Sequence, residues 1–245
     1  MANKMGFMPN RWNEPTKVVF NNNYFGDNPG IYNLMELNCA VSNGSSFIGN
    51  TFTRGAASHN FINLYQIADG ATINIDNNNF DCGPETNPIR IAARDIPDPE
   101  TGELRAPRDV VVNIRNNTYT GQIEDPEYAG ILFFQPFDRL TSDFSGITVN
   151  LSGNVTSPDV DQLFYLFLTN KKVASGAFRD TQFMDNPTDT SRFPTVFVNG
   201  KKLTDEEMLA RVVCWDDVSR SMVSLQEYFG EPEPETPQIE PTDGQ

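Results

Sequence analysis

At 245 residues, with 38% hydrophobic and 11% aromatic content, the chain is long enough to bury one substantial core, and a single repeat series along it argues against two domains. A formal charge of −15 opposes the counterion release that drives binding to a phosphate backbone, which excludes nucleic acid as an expected partner. No run approaches the roughly eighteen apolar residues of a membrane span, and Met1 to Arg11 lacks the apolar core of a secretion signal, so the expectation is a soluble protein made in a cytoplasm.

Residues 1–16 place Met1, Met5, Phe7, Met8 and Trp12 among Asn, Pro and Arg, with neither helical nor strand periodicity. They read as an irregular arm with apolar anchors, which either folds over the open first turn of the following repeats or reaches to a neighbouring subunit. Phe7, Met8 and Trp12 are its candidate partner contacts.

An eight-residue pattern then recurs from Val18, Ser45, Ile73, Val112, Val149 and Gly176. Its third column is apolar: Phe20, Phe47, Ile75, Ile114, Leu151, Phe178. Its fifth holds residues that tolerate a left-handed backbone: Asn22, Gly49, Asn77, Asn116, Gly153, Asp180. The sixth reads Asn23, Asn50, Asn78, Asn117, Asn154, Thr181, and the eighth Phe25, Phe52, Phe80, Tyr119, Thr156, Phe183. Third-column spacings of 27, 28, 39, 37 and 27 residues give a basic period of one repeat turn, enlarged twice. Columns three and eight differ by an odd number of positions, so both face one core only if the chain bends at columns five and six. An asparagine recurring at that bend can stack on its neighbours, each side-chain amide bonding the next.

A second strand is expected after each window, ending at Leu37, Ile67, Ile91, Phe133, Phe167 and Val198. The alternation is Met35/Leu37, Tyr65/Ile67, Ile89/Ile91, Ile131/Phe133 and Val196/Val198. On these residues the chain resembles, over residues 16–200, the right-handed parallel β-helix proteins of the pectate-lyase-like superfamily, many of which carry an asparagine ladder at one bend. The resemblance is one of architecture. It implies an all-β, right-handed parallel β-helix solenoid of about six turns with an asparagine ladder; a β-sandwich of short strands is the alternative.

The period is interrupted by Arg94 to Arg108, rich in charge and proline, which reads as an excursion on the flank, as do Phe137 to Gly146 and Met184 to Pro194. Asn199-Gly200 between Thr195-Val196-Phe197-Val198 and Lys201-Lys202-Leu203 is a hairpin signal, the lysines discouraging further pairing. Thr204 with Glu207 three residues on is a capping box. The apolar spacing of Met208, Leu209, Val212, Val213, Val218, Met222 and Leu225 predicts a short C-terminal helical cap of one broken or two short helices reaching Phe229. From Gly230 the composition becomes acidic and proline-rich, an extended tail in which Glu231, Glu233, Glu235 and Ile239 are candidate partner contacts. The predicted organisation is an arm at 1–16, a β-helix at 17–200, a hairpin and helical cap at 201–229 and a tail at 230–245.

Many β-helix proteins act on polysaccharides, so the resemblance raises that chemistry for this chain. The signatures of the polygalacturonase-like hydrolases are absent, and the only histidine, His59, reads as a loop residue. Asp76 and Asp81 face outward together in this reading, but no basic cluster accompanies them, and no phosphate loop, nucleophile elbow or metal spacing stands in the sequence. No catalytic residue, cofactor or resident metal is predicted, Ca²⁺ caught between acidic loops being the one metal considered. Cys39, Cys82 and Cys214 read as small buried hydrophobes. The expectation is a non-enzymatic virion structural protein, of the kind that decorates a phage capsid, bound to other virion proteins such as the major capsid protein through its arms or one solenoid face. Self-association is compatible with it, and no nucleic acid or membrane is involved. A polysaccharide-binding or depolymerising tailspike-like protein is the alternative and calls for an aromatic groove or an acid pair on an outer face. An adhesive bacterial protein is a third reading.

Overall fold

The computed structural model describes residues 5–7, 10–26, 33–53, 60–82, 87–92, 94–121, 130–134, 143–158, 163–172, 189–216, 221–225 and 227. The alternating stretch that opens each repeat forms a strand whose odd columns are buried and whose even columns face outward, as in Val110–Arg115 and Ile147–Ser152. These strands lie side by side in the order Lys201–Lys202, Thr195–Val198, Ile147–Ser152, Val110–Arg115, Thr72–Asp76, Ser45–Ile48, Val19–Asn21. Every pair in this sheet is parallel except the terminal hairpin. The register puts Phe20, Phe47, Ile75, Ile114 and Leu151 in one inward file.

After the bend a second, short sheet begins. Tyr24–Phe25, Thr51–Phe52, Asn79–Cys82 and Thr118–Gly121 pair in parallel and align Phe25, Phe52, Phe80 and Tyr119. Phe25 and Phe52 stack at 4.9 Å and Phe52 and Phe80 at 5.0 Å between ring centroids. The eighth column therefore has a sheet of its own, where the sequence reading counts only two strands per turn. A third sheet of nine strands carries Asn33–Val41, Asn60–Ile67, Asn87–Ile91, Leu132–Phe134, Phe164–Lys172 and Val212–Asp216 in parallel order, closed by an antiparallel strand at Ser221–Ser224. The three sheets enclose one core, from Val18 and Phe47 to Phe164 and Val212. Fold class is thus all-β with parallel sheets.

The bend is where the sequence pattern does its work. Asn22, Asn77 and Asn116 have φ of 58°, 56° and 54°, and Gly49 and Gly153 have 68° and 61°, so every described residue of the fifth column is left-handed. At Gly49 a Cβ would also come within 2.5 Å of Asn22 Oδ1. One residue on, the amides stack. Asn50 donates through its backbone N–H and its Nδ2 to Asn78 Oδ1, both at 2.9 Å. Asn78 does the same to Asn117 at 2.8 and 2.9 Å, and Asn117 to Asn154 at 3.0 Å. Asn23 opens the series on Asn50. Each Nδ2 also donates backwards to a third-column carbonyl of the preceding repeat: Asn50 to Phe20, Asn78 to Phe47, Asn117 to Ile75 and Asn154 to Ile114. Asn50, Asn78 and Asn117 are buried.

Four expectations are corrected. The sixth strand of the first sheet is Thr195–Val198, paired Val149 to Val196 and Leu151 to Val198, not the window at Gly176. That window lies outside the described residues; it matches the pattern at Phe178 and Phe183 but breaks the asparagine column with Thr181. Second, the helical cap is interrupted by strands: Asp205–Leu209 is a five-residue helix with its capping box formed by Thr204 and Glu207, and among the described residues helical backbone returns only at Leu225 and Glu227, where the Ser224 hydroxyl accepts the Glu227 N–H and the Glu227 carboxylate the Ser224 N–H. Val212 and Val213 then leave the helix and pair in parallel with Leu166 and Phe167, because β-branched residues beside an open sheet edge gain a full ladder there.

Third, the arm is not irregular: Met5–Phe7 and Asn10–Thr16 both add in parallel to Asn33–Val41, with a left-handed Asn13 (φ 65°) at a bulge inside the second strand, between Arg11 and Pro15. Fourth, one member of each of two expected inward pairs in the nine-stranded sheet is displaced. Ile67 and Ile131 face the core as expected, but Ile62, Leu64, Leu132 and Phe134 join them there, and Tyr65 and Phe133 lie on the other face. The run Ile131-Leu132-Phe133-Phe134 is apolar throughout, so alternation cannot choose between its faces.

The amide stack predicts a sharp contrast between neighbours. Asn78→Leu removes the acceptor for two Asn50 donors, takes one of its two donors from Asn117 Oδ1 and strands the Phe47 carbonyl, which should cost about 3 kcal/mol in urea or thermal unfolding. Asn79→Ala, at an exposed position, should fall within about 0.5 kcal/mol of wild type.

Candidate functional site

Two outer faces and one loop gather polar chemistry. The first face belongs to the nine-stranded sheet, where the register sets Glu36, Asn63, Arg90, Phe133, Tyr165 and Arg211 in one row across six neighbouring chain segments. Tyr65 and Trp12 extend it: their rings are 6.1 Å apart, Arg90 lies over Tyr65 at 5.3 Å and Arg94 over Trp12 at 4.3 Å. Asn63, Tyr65, Phe133 and Tyr165 are buried, and Phe133 packs on Tyr165 at 5.6 Å. Burial lifts the Tyr65 phenol well above its usual range, against the pull of Arg90. Burial likewise lowers the Arg211 pKa, and that guanidinium sits 4.8 Å from the Phe164 ring. Asn63 Oδ1 and Asn38 Oδ1 are buried without a hydrogen-bond partner.

The arm is fastened beside this row. Gln66, buried, accepts from the Asn13 N–H at 2.9 Å through Oε1 and donates through Nε2 to Asn13 Oδ1 and to the Asp95 carbonyl, both at 2.8 Å. Trp12 therefore contacts this chain's own Tyr65 and Arg94. Phe7 lies in the strand Met5–Phe7 opposite Met35. Met8, Glu231, Glu233, Glu235 and Ile239 lie outside the described residues, as does His59.

The second face, outside the seven-stranded sheet, is flat and polar. Asn113 donates to Asn74 and Asn150 to Asn113, each at 2.9 Å, so a second amide file runs along the surface. Beside it Arg115 clasps Asp76 with two bonds, Nε to Oδ1 at 3.0 Å and a terminal nitrogen to Oδ2 at 2.6 Å, which raises the arginine pKa. The Asp76 carboxylate is thus committed to an ion pair rather than shared with Asp81.

The excursion after Arg94 is an antiparallel hairpin, Ile96–Pro97 with Leu104–Arg105, and Asp95 and Ile96 at its base are buried. Arg105 holds it down. Its guanidinium donates to Asp98 Oδ2 at 2.7 Å and to Asp69 at 2.6 and 3.1 Å. Asp69 also accepts the Arg108 N–H at 2.8 Å. The Arg105 side chain, with the Glu100 and Thr101 N–H groups, holds the Asp98 carboxyl down at about 2. Among the described residues no group of three or more His, Cys, Asp or Glu side chains is placed to hold a metal ion, and no helix is long and apolar enough to cross a membrane. Cys39 and Cys82 are buried; Cys214 lies in the strand Val212–Asp216.

The structure therefore brings Asn23, Asn50, Asn78, Asn117 and Asn154 together and places Trp12 against the chain itself. The row Glu36, Asn63, Arg90, Phe133, Tyr165 and Arg211 is missed by sequence reasoning. Its only signal is the pair spacing across strands, which needs the register. No protein family, curated protein or solved structure compared with this chain matches it.

The Arg105 clasp should be pH-dependent. A carboxylate with a folded pKa near 2, below its usual value of about 4, contributes stability that is complete above the usual value and lost as pH falls through the folded one. Arg105→Met should lower the Tm by a few degrees at neutral pH. The gap between variant and wild type should close as pH drops from about 4 to about 2, read by thermal melts in a pH series.

Proposed function

We propose that the chain is a right-handed parallel β-helix that serves as a non-enzymatic structural protein on a virion surface, a capsid decoration protein bound to the assembled shell. Right-handedness follows from the rule that parallel strand crossovers turn that way in nearly all proteins. The observation that carries the reading is the unbroken stack of amides from Asn23 to Asn154, which welds successive repeats into a stiff body of charge −15. A stiff, acidic body of this build suits a scaffold that presents faces and ends to other proteins. By the same reading it is made in the host cytoplasm, leaves with the particle, and has the major capsid protein as its partner, with the tail from Gly230 as an electrostatic attachment. The step from fold to virion is an analogy of architecture.

A second reading has its own support. Half-buried Trp12, Glu36, Arg90 and Arg94, set beside the buried Tyr65, Phe133 and Tyr165, are residue types that stack on and hydrogen-bond to sugars, which favours a polysaccharide-binding, tailspike-like role. Quenching of Trp fluorescence by surface polysaccharides of the host would mark it.

Particles from the lysate of the producing culture, banded on a density gradient and probed with an antibody to this chain, test the first reading. It predicts the chain in the band of full particles and its release by rising salt with the shells intact. A chain truncated after Gly230 should come off at lower salt. Confinement to the soluble fractions at the top of the gradient contradicts it.

A further inference from the structure

The two ends of the strand stack are finished differently, and the N-terminal end is finished on one sheet only. There the arm strands Met5–Phe7 and Asn10–Thr16 cover the edge of the nine-stranded sheet. Among the described residues the first strands of the other two sheets, Val19–Asn21 and Tyr24–Phe25, have a neighbour on one side alone. The hydrogen bonds fix which groups are left over. The Val18 carbonyl accepts from Ser46, the Asn22 N–H donates to Ile48, and the carbonyls of Asn23 and Phe25 accept from Thr51 and Thr53. In a parallel ladder alternate residues bond to opposite sides, so the N–H and C=O groups of Val19, Asn21 and Tyr24 point away from the stack, the Asn21 carbonyl accepting from Asn23 Nδ2 at 3.1 Å. Val19 and Tyr24 are 52% and 73% exposed, two of the four exposed large hydrophobics among the described residues.

The amide stack has an open end at the same place. Asn50, Asn78, Asn117 and Asn154 each accept two bonds at Oδ1, one from a backbone N–H and one from an Nδ2 of the preceding rung. Asn23, the first rung, is exposed, and among the described residues its Oδ1 accepts none. The open end has a polarity: it takes donors, and each rung behind it takes a backbone N–H and an amide N–H together.

We propose that this edge is a docking site for an extended segment of another protein chain, added in parallel along Val19–Phe25. Its sequence would follow the repeat's own pattern: apolar residues over Phe20 and Phe25, a left-handed bend, and an asparagine over Asn23. Parallel addition continues the only pairing these two sheets use on this side and carries the bend into register. An aspartate in place of the asparagine brings no amide donor. The far end of a second copy does not match, because there Thr195–Val198 is closed by the antiparallel pair of Lys201–Lys202. An edge with exposed apolar side chains and open backbone groups is one that proteins cover when it has no partner; here the neighbouring sheet is covered by the arm.

The probe is a fluorescein-labelled peptide with the sequence of residues 71–82, its Cys82 changed to Ser, titrated with the full chain and read by anisotropy. Saturable binding is expected, weakened at least about tenfold when the peptide carries Asn78→Ala. Tyr24→Pro in the protein removes one outward-facing N–H and no internal ladder bond, so it should keep its melting temperature and lose the peptide. Tyr24→Thr keeps that N–H and should bind. If Tyr24→Pro fails to fold, Val19→Pro makes the same test from the other sheet. No saturation up to about 1 mM peptide overturns the proposal, as does equal binding by a folded proline variant. Self-association in sedimentation velocity that the proline variants abolish, without peptide binding, would give the edge to a second copy and overturn it too. These readouts do not depend on where the protein resides, so they separate this site from the virion reading.

Discussion

Where the chain turns out of the seven-stranded sheet and into the four-stranded one, the column-six N–H and the column-three carbonyl of the repeat behind it face the interior with no strand beside them. Leaving such groups unpaired in a core costs a few kcal/mol per repeat. Asparagine is short enough to stay inside the bend and carries both an acceptor and two donors. One side chain therefore serves three repeats: Asn78 accepts from Asn50, donates to Asn117, and returns a bond to the Phe47 carbonyl. The left-handed residue before it, Asn or Gly, makes the geometry reachable. The phenylalanine stack of the eighth column follows from the same register.

Because each repeat bonds to its neighbours rather than to a distant element, material can be inserted between strands without disturbing the stack. The rungs span 27, 28, 39 and 37 residues, yet their backbone-to-amide bonds are 2.9, 2.9, 2.8 and 3.0 Å. The largest described insertion is a hairpin pinned by Arg105 between Asp69 and Asp98, so the excess chain is ordered on the flank. The body that results is stiff and acidic. Its distinctive chemistry lies on outer faces and ends: the aromatic and charged row beside the arm, the amide and ion-pair file of Asn74, Asn113, Asn150, Asp76 and Arg115, and the half-covered N-terminal edge.

What the sequence made legible is what repeats. The asparagine column, the left-handed column before it and the inward third column over the first five windows, the eighth column from Phe25 to Tyr119, the Asn199-Gly200 hairpin and the Thr204 capping box all rest on local chemistry, and they stand in the structure where that chemistry puts them. What it hid depends on pairing. The arm has no strand periodicity, and only the open edge of Asn33–Val41 makes Asn10–Thr16 a strand. Val212 and Val213 fit a helical stripe until the edge at Phe164–Lys172 offers a ladder. The apolar run at Ile131 conceals which side faces out, and with it the row through Phe133 and Tyr165. The column pattern also finds a sixth match at Gly176, while the strand that continues the sheet is Thr195–Val198.

The central claim is that the buried amides hold the repeats together, and backbone hydrogen exchange tests it most directly. The N–H groups of Asn50, Asn78 and Asn117, each bonded to the next side chain, should exchange only through global unfolding. Their rates should match those of Ile75 and Ile114 in the core strands. Exchange of these three amides by local opening, at rates typical of surface turns and well ahead of the flanking strands, would mean that the bends follow the sheets passively and that the amide stack is not what the fold depends on.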